Sequence, residues 1–271
     1  MRKAFTFIIV ACVIALAITA CKKDTKPSAS TDEISSETLS QIKSLGFSTS
    51  DVHKVEEGYL VEGDILLTPE LLNGSNEGLL LRVANEEQYR TTNLVTRLPR
   101  TFTVGTTGLS QPYIDGAKLA ISRYNSLGLQ LSFSFVTKGK PDILIRGFNQ
   151  PPSGGYITLG SSGFPSRGEP YSTIKMNTNQ YAYGSNPNVN YVGSVIQHEI
   201  GHCIGFRHTD YMDRSYSCGG AKVNEGASNV GAILIPGTPS DPDANSWMLA
   251  CTDGGDQTFN ANDKVALNYL Y

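Results

Sequence analysis

His198-Glu199-Ile200-Gly201-His202-Cys203-Ile204-Gly205-Phe206-Arg207-His208 decides how the rest of this chain is read. It holds three of the four histidines in the sequence. On a helix, residues four apart share a face, so His198 and His202 present their imidazoles to one point, with the Glu199 carboxylate close by. That arrangement supplies two ligands for a metal ion and a base beside it. A catalytic zinc takes three protein ligands and keeps a position open for water, so a third donor must come from beyond the helix. Gly205 provides the exit: a glycine at a helix end adopts the left-handed conformation that turns the chain sharply, which lets His208 swing back to the same ion. A closed structural zinc is the rival, but no fourth Cys or His stands at usable spacing, and Cys203 points away from His202 on the helix. Five fixed residues at about 1 in 20 each would arise by chance with a frequency on the order of 10^-4 in a chain of this length.

The remainder of the sequence sets the compartment. With 39% hydrophobic and 17% charged residues over 271 positions, the chain has the apolar content for a real core. A net charge of -3 without a dense Lys/Arg block excludes a protein held to nucleic acid by phosphate neutralisation. Ala4 to Ala20 is the one long apolar run. It follows Arg2 and Lys3 and ends in small residues before Cys21, the pattern of a signal peptide. Leu16 to Cys21 resembles a bacterial lipobox shifted by one or two positions, so Cys21 is expected to carry lipid. The chain would then be a surface or outer-membrane lipoprotein; otherwise it is secreted, with Cys21 incidental. Cys12 leaves with the signal, so Cys203, Cys218 and Cys251 remain for an oxidising compartment, and three thiols allow one bridge. Cys203 sits inside the helix and reads as a small buried residue, whereas Cys218 and Cys251 lie in Gly-rich loop sequence and are expected to pair.

Residues 22–36 read as a solvated linker. Glu37 to Leu45 has helical spacing and stops at Gly46; Tyr59 to Leu67 reads as a strand. Residues 73–100 are polar, with Arg90, Arg97 and Arg100 in exposed-looking sequence suited to proteolytic nicking. From Thr101 the pattern is that of an α+β domain: strand 101–105, helix 113–127, strands 129–136, 142–148, 156–159 and 173–177, the helix from about 191 to 204, and a last helix at 263–270.

The histidine sequence resembles the motif of metzincin metalloproteases, and His198 to Phe206 is similar to the bacterial dual-action HEIGH metallopeptidases. The resemblance runs through most of residues 101–271 and implies a metzincin-like zinc protease domain with a mixed twisted sheet, an active-site helix, a Met-turn and a C-terminal helix. It implies one zinc ion on His198, His202 and His208, with Glu199 as the general base of peptide hydrolysis. It places the Met-turn at Ser246-Trp247-Met248, since Met212 follows His208 too closely. Asp263 resembles an aspartate at the start of the last helix in related proteases, or is only an N-cap, and Asp210 matches variants of the extended motif in a supporting role. Where some metzincins carry a transition-state tyrosine, this chain has Ala250. Tyr156 to Leu159 resembles the edge strand that pairs with extended substrate. Val61-Glu62-Gly63-Asp64-Ile65 resembles the Gly-Asp motif by which astacin-type propeptides set an aspartate on the zinc; Gly63 would let the backbone approach closely, and no cysteine between Lys22 and His202 offers a thiol switch.

The expected organisation is a signal peptide at 1–20, a lipidated tether at 21–36, an inhibitory pro-segment at 37–100 and a catalytic domain at 101–271. The pro-segment has a rival reading as a spacer with no switch role for Asp64. The expected partners are a protein or peptide substrate and, through Cys21, a membrane, with the chain a monomer. The competing function is a catalytically inactive surface binding or adhesion module that retains the fold. The intact Glu199 argues against it, because loss of the base is the simplest route to a dead site. A hydrolase of another bond class is weaker still, since the extended pattern resembles peptidases.

Overall fold

The computed structural model describes residues 34–73, 88–153, 155–226, 231–239 and 241–271. The expected signal peptide, Cys21 and nearly all of the linker lie outside the described residues, as do 74–87 of the polar stretch. No helix among the described residues is long and apolar enough to cross a membrane.

The first part of the chain contains helix α1 (Ser36–Ser44), strands β1 (His53–Val55), β2 (Gly58–Val61) and β3 (Ile65–Leu67), and helix α2 (Pro69–Asn73). The three strands form an antiparallel sheet in chain order. Ser35 caps α1 by accepting the Thr38 amide. Tyr59 to Leu67 is therefore not the single strand its apolar alternation predicts. It is a hairpin whose turn holds Glu62 at φ 55° and Gly63 at φ 87°, the two consecutive left-handed residues that match a tight hairpin to strand twist.

The larger part comprises β4 (Tyr89–Arg90), β5 (Arg100–Thr107), α3 (Gln111–Asn125), β6 (Leu131–Phe135), β7 (Ile143–Phe148), β8 (Gly160–Ser161), β9 (Thr173–Asn177), α4 (Gln180–Tyr183), α5 (Val189–Ile204), α6 (Ser215–Cys218), β10 (Ile233–Leu234) and α7 (Ala261–Leu270). The main sheet runs β6-β5-β7-β9-β8, parallel except for β8, which pairs antiparallel with β9 at the edge. This is the mixed sheet of an α+β fold. Phe102 and Val104, Ile143 and Ile145, Ile174 and Met176 alternate along their strands and share one core with Ala117, Ala120, Ile121 and Tyr124 of α3 and Val192, Ile196 and Ile200 of α5. A second, smaller core joins Ile42, Phe47, Val61, Ile65 and Leu67 of the first part to Phe164.

Two local expectations are corrected. Tyr156 to Leu159 is not a strand; the edge strand is the short β8 immediately after it, and Ser153 and Tyr156 form only an isolated bridge. The Ser-Gly-Gly and Pro residues around 151–155 break the chain too often for a longer ladder. Arg97 is exposed as expected, but Arg90 and Arg100 stand in strands and are partly buried. Residues from Gln88 onward are tied into the larger part: β4 pairs with β10, the Thr91 amide donates to Gly205 O at 2.8 Å, and Gln88 Nε2 donates to Asp263 Oδ1 at 2.7 Å.

Cys218 and Cys251 form the disulfide, across a sequence separation of 33, and Cys203 is free and buried. Closing a loop of that length stabilises by about 3 to 4 kcal/mol in the chain-entropy account. Cys251→Ala, with its partner also replaced by alanine, should therefore lower the unfolding free energy by about 3 kcal/mol in urea titration. A change below 1 kcal/mol would show that the loop is held by its hydrogen bonds alone.

Candidate active site

Helix α5 begins at Asn188, whose side chain accepts from the amides of Asn190 and Tyr191, and it ends at Gly205, φ 118°. The Phe206 amide donates back to Gly201 O at 2.9 Å, completing a left-handed helix exit. The chain then runs against β4, with the Arg207 amide donating to Tyr89 O at 2.9 Å, and this delivers His208 to the helix face that carries His198 and His202.

The three imidazoles are fixed by what their Nδ1 atoms meet. His198 Nδ1 lies 3.0 Å from Trp247 O, His202 Nδ1 lies 2.8 Å from Phe206 O, and His208 Nδ1 lies 3.1 Å from Glu225 Oε1. Carbonyl and carboxylate oxygens only accept, so each Nδ1 carries a proton and each Nε2 faces inward, where a metal ion would take its lone pair. On His208, which against burial is pushed well above the ordinary histidine range by Asp64 and Glu225, an Nε2 proton would give way to the ion. The Nε2 atoms of His202 and His208 stand 3.2 Å apart. Asp64 completes the group: its Oδ2 is 3.1 Å from His208 Nε2, 3.4 Å from His198 Nε2 and 3.9 Å from His202 Nε2.

The donor set fits a metal ion. Tetrahedral bonds of about 2.0 to 2.1 Å place ligand atoms about 3.3 Å apart, which is close to the spacing of these four atoms. His198 Nε2 and Asp64 Oδ1 are buried without a hydrogen-bond partner, an arrangement that is costly unless a cation accounts for it. Burial above all, and then the neighbouring imidazole of His198, hold His202 well below the ordinary histidine range, in the neutral form a ligand requires. Burial opposes ionisation of Asp64, yet His208 and His198 hold its carboxyl well below the usual range. Burial, reinforced by Asp64, pushes Glu199 well above it.

Glu199 and His198 open onto a cleft of about 760 Å³ that is also lined by Tyr156, Leu159, Tyr191 and Leu249. Underneath the helix lies the turn at Ser246–Met248. Met248 is fully buried, and a Cβ on Gly201 would stand 2.7 Å from its sulfur, so this helix position admits only glycine. Asp263 fixes the turn: it accepts from the Trp247 amide, the Ser246 hydroxyl and Gln88, while forming a capping box with Asn260 at the start of α7. The N-cap of α7 is therefore Asn260 and not Asp263, which is its third-position partner in the box and supports the turn with the same carboxylate. Asp210 accepts from Ser217 Oγ and from the Ala250 amide, bracing the loop that carries the disulfide.

A family model of dual-action HEIGH metallo-peptidases matches residues 59–271. The chain belongs to this family. It is accordingly a metal-dependent peptidase, and the matched region takes in the β2–β3 hairpin with Asp64. Among solved structures, a structure of myroilysin is 15% identical, covering 67% of this chain and 95% of that one with a TM-score of 0.43. A crystal structure of myroilysin is 16% identical, covering 64% and 83% respectively with a TM-score of 0.40. No curated protein matches the chain.

In this HEIGH metallo-peptidase, sequence reasoning singled out the three histidines, Glu199, Met248 and Asp64, and the fold brings all of them to one place. It missed the charges behind them. Arg207, fully buried, donates to both Glu62 carboxylate oxygens at 3.1 and 3.3 Å and to Gly226 O, with its guanidinium over the Phe47 and Tyr211 rings. Glu225 serves His208 and is held below the ordinary range, against burial, by His208, Arg214 and Arg207. An isolated acid in loop sequence 17 residues beyond His208 carries no periodic signal that could have marked it.

Proposed function

We propose that the chain is an exported zinc endopeptidase, held latent by its own N-terminal segment. The convergence of three inward-facing Nε2 atoms beside Glu199 at the cleft carries this reading. Zinc on His198, His202 and His208 would supply Lewis acidity, polarising the scissile carbonyl and making water a nucleophile near neutral pH. Glu199, a base and not a ligand, takes the proton of the attacking water and hands it to the leaving amine. Met248 acts as the Met-turn residue under the site. Asp64 takes the position that water would need, so the intact chain is latent. Cleavage before Gln88 would free the segment and leave the Gln88–Asp263 anchor whole; cleavage at Arg90 or Arg100 would cut into the larger part.

The Cys218–Cys251 bridge supports export, since such bridges persist in oxidising compartments. Anchoring through lipidated Cys21, a protein or peptide substrate, no nucleic-acid partner and a monomeric state complete the proposal. The test is mass spectrometry of peptides released from a mixed proteome, with Glu199→Ala as the control. Glu199→Ala should retain one zinc per chain and release no peptides. Equal release by parent and variant would refute the role of Glu199, and absence of release by either, intact or nicked, would favour the binding module.

A further inference from the structure

Glu199 has two carboxylate oxygens, and the structure treats them differently. Ser162, which is 1% exposed, sets its Oγ 2.6 Å from Glu199 Oε2 and 3.1 Å from the Glu199 carbonyl oxygen. A hydroxyl has one proton, and the contact to Oε2 is the shorter of the two, so Ser162 donates to the carboxyl oxygen of Glu199. Oε1 has no hydrogen-bond partner among the described residues. It lies over Gly160, where a Cβ would come within 2.7 Å of it, and both residues line the cleft.

Ser162 is also held from the other side. Its amide donates to Asp64 O at 2.9 Å and its carbonyl accepts the Leu66 amide at 2.7 Å, so the N-terminal segment adds itself in parallel to the chain just beyond β8. One residue thus carries the main-chain dock for the segment and the side-chain hold on the base. The following Phe164 stacks on Phe47 of the segment and meets the His202 ring edge-on at 5.5 Å between centroids.

We infer that Ser162 is a positioning residue for peptide hydrolysis: its hydroxyl ties down Oε2 of Glu199, fixes the carboxylate plane and leaves Oε1 toward the cleft to receive the proton of water. The inference rests on the proposed role of Glu199 as base. A carboxylate without this tether samples rotamers in which neither oxygen faces the cleft, so its loss lowers turnover and leaves substrate affinity alone.

Ser162→Ala and Ser162→Cys, the second keeping volume while losing the strong donor, should be prepared in the full zinc-loaded chain and assayed intact and after limited proteolysis. In whichever form the parent cleaves peptide, kcat should fall by about 10- to 30-fold with KM within about twofold. Zinc stoichiometry should match the parent, and stability should fall by no more than the loss of one buried hydrogen bond. A crystal structure of Ser162→Ala should show the Glu199 carboxylate rotated or in two positions. A kcat within threefold of the parent, a rise in KM in place of the fall in kcat, or a Glu199 side chain unmoved in the variant crystal would each overturn the inference. If the parent cleaves nothing in either form, the peptidase reading has failed, and the crystal structure still decides whether Ser162 holds Glu199.

Discussion

His208→Ala should weaken metal binding by at least a hundredfold, measured by competition with a chromophoric chelator. Three imidazoles at tetrahedral spacing act as one chelate, and His208 is the one delivered from outside the helix, so its loss leaves two imidazoles from a single turn of α5 and, in the intact chain, the Asp64 carboxylate. The variant also strands Glu225, whose carboxylate is fully buried and accepts from His208 Nδ1. Arg207 and Arg214 remain beside that carboxylate at 3.7 and 3.2 Å, so the fold survives while the site is lost. Glu225→Gln is the informative companion. It removes the charge that orients His208 without removing the ligand, and an outer partner of this kind is worth about 10- to 100-fold in metal affinity. A His208→Ala protein that binds zinc as tightly as the parent would mean the ion sits elsewhere.

What could be read from the sequence followed from local spacing. His198, His202 and Glu199 are placed by the period of a helix, and Gly205 is placed by its own backbone freedom, so an eleven-residue window carried the centre of the site. The alternating strands and the two long helices were legible for the same reason. Contacts made by unrelated stretches of chain were not. The Ser162–Glu199 bond spans 37 residues and the Arg207–Glu62 pair spans 145, and neither hydroxyl nor acid carries any mark of its partner in the sequence. The strand expected at 59–67 failed for a subtler reason. Its apolar alternation continues straight through Glu62 and Gly63, and only the conjunction of positive φ at both shows that the chain reverses there. The reversal is what puts Glu62 and Asp64 at one tip.

That tip sets the second large expectation: the intact chain should cleave peptide at least a hundredfold more slowly than the chain nicked before Gln88. Asp64 lies among the three histidines, and Glu62, two residues away in the same turn, reaches past them to the buried Arg207. The two anchors differ in kind. Asp64 is held through the metal site, so Asp64→Ala should raise the activity of the intact chain by about tenfold while the hairpin stays docked through Ser162 and the Phe47–Phe164 stack. Glu62 is held by a guanidinium pressed between aromatic rings, independently of any ion. Glu62→Ala leaves Arg207 its Glu225 and Gly226 contacts but opens a polar cavity beside it, which should cost about 3 kcal/mol of segment docking. After nicking, the segment should dissociate at assay dilution in the parent, which releases activity, and its dissociation constant should rise by about a hundredfold in Glu62→Ala, with or without chelator. Full activity of the intact parent would make the segment a spacer, and an unchanged dissociation constant in Glu62→Ala would show that its apolar core alone holds it in place.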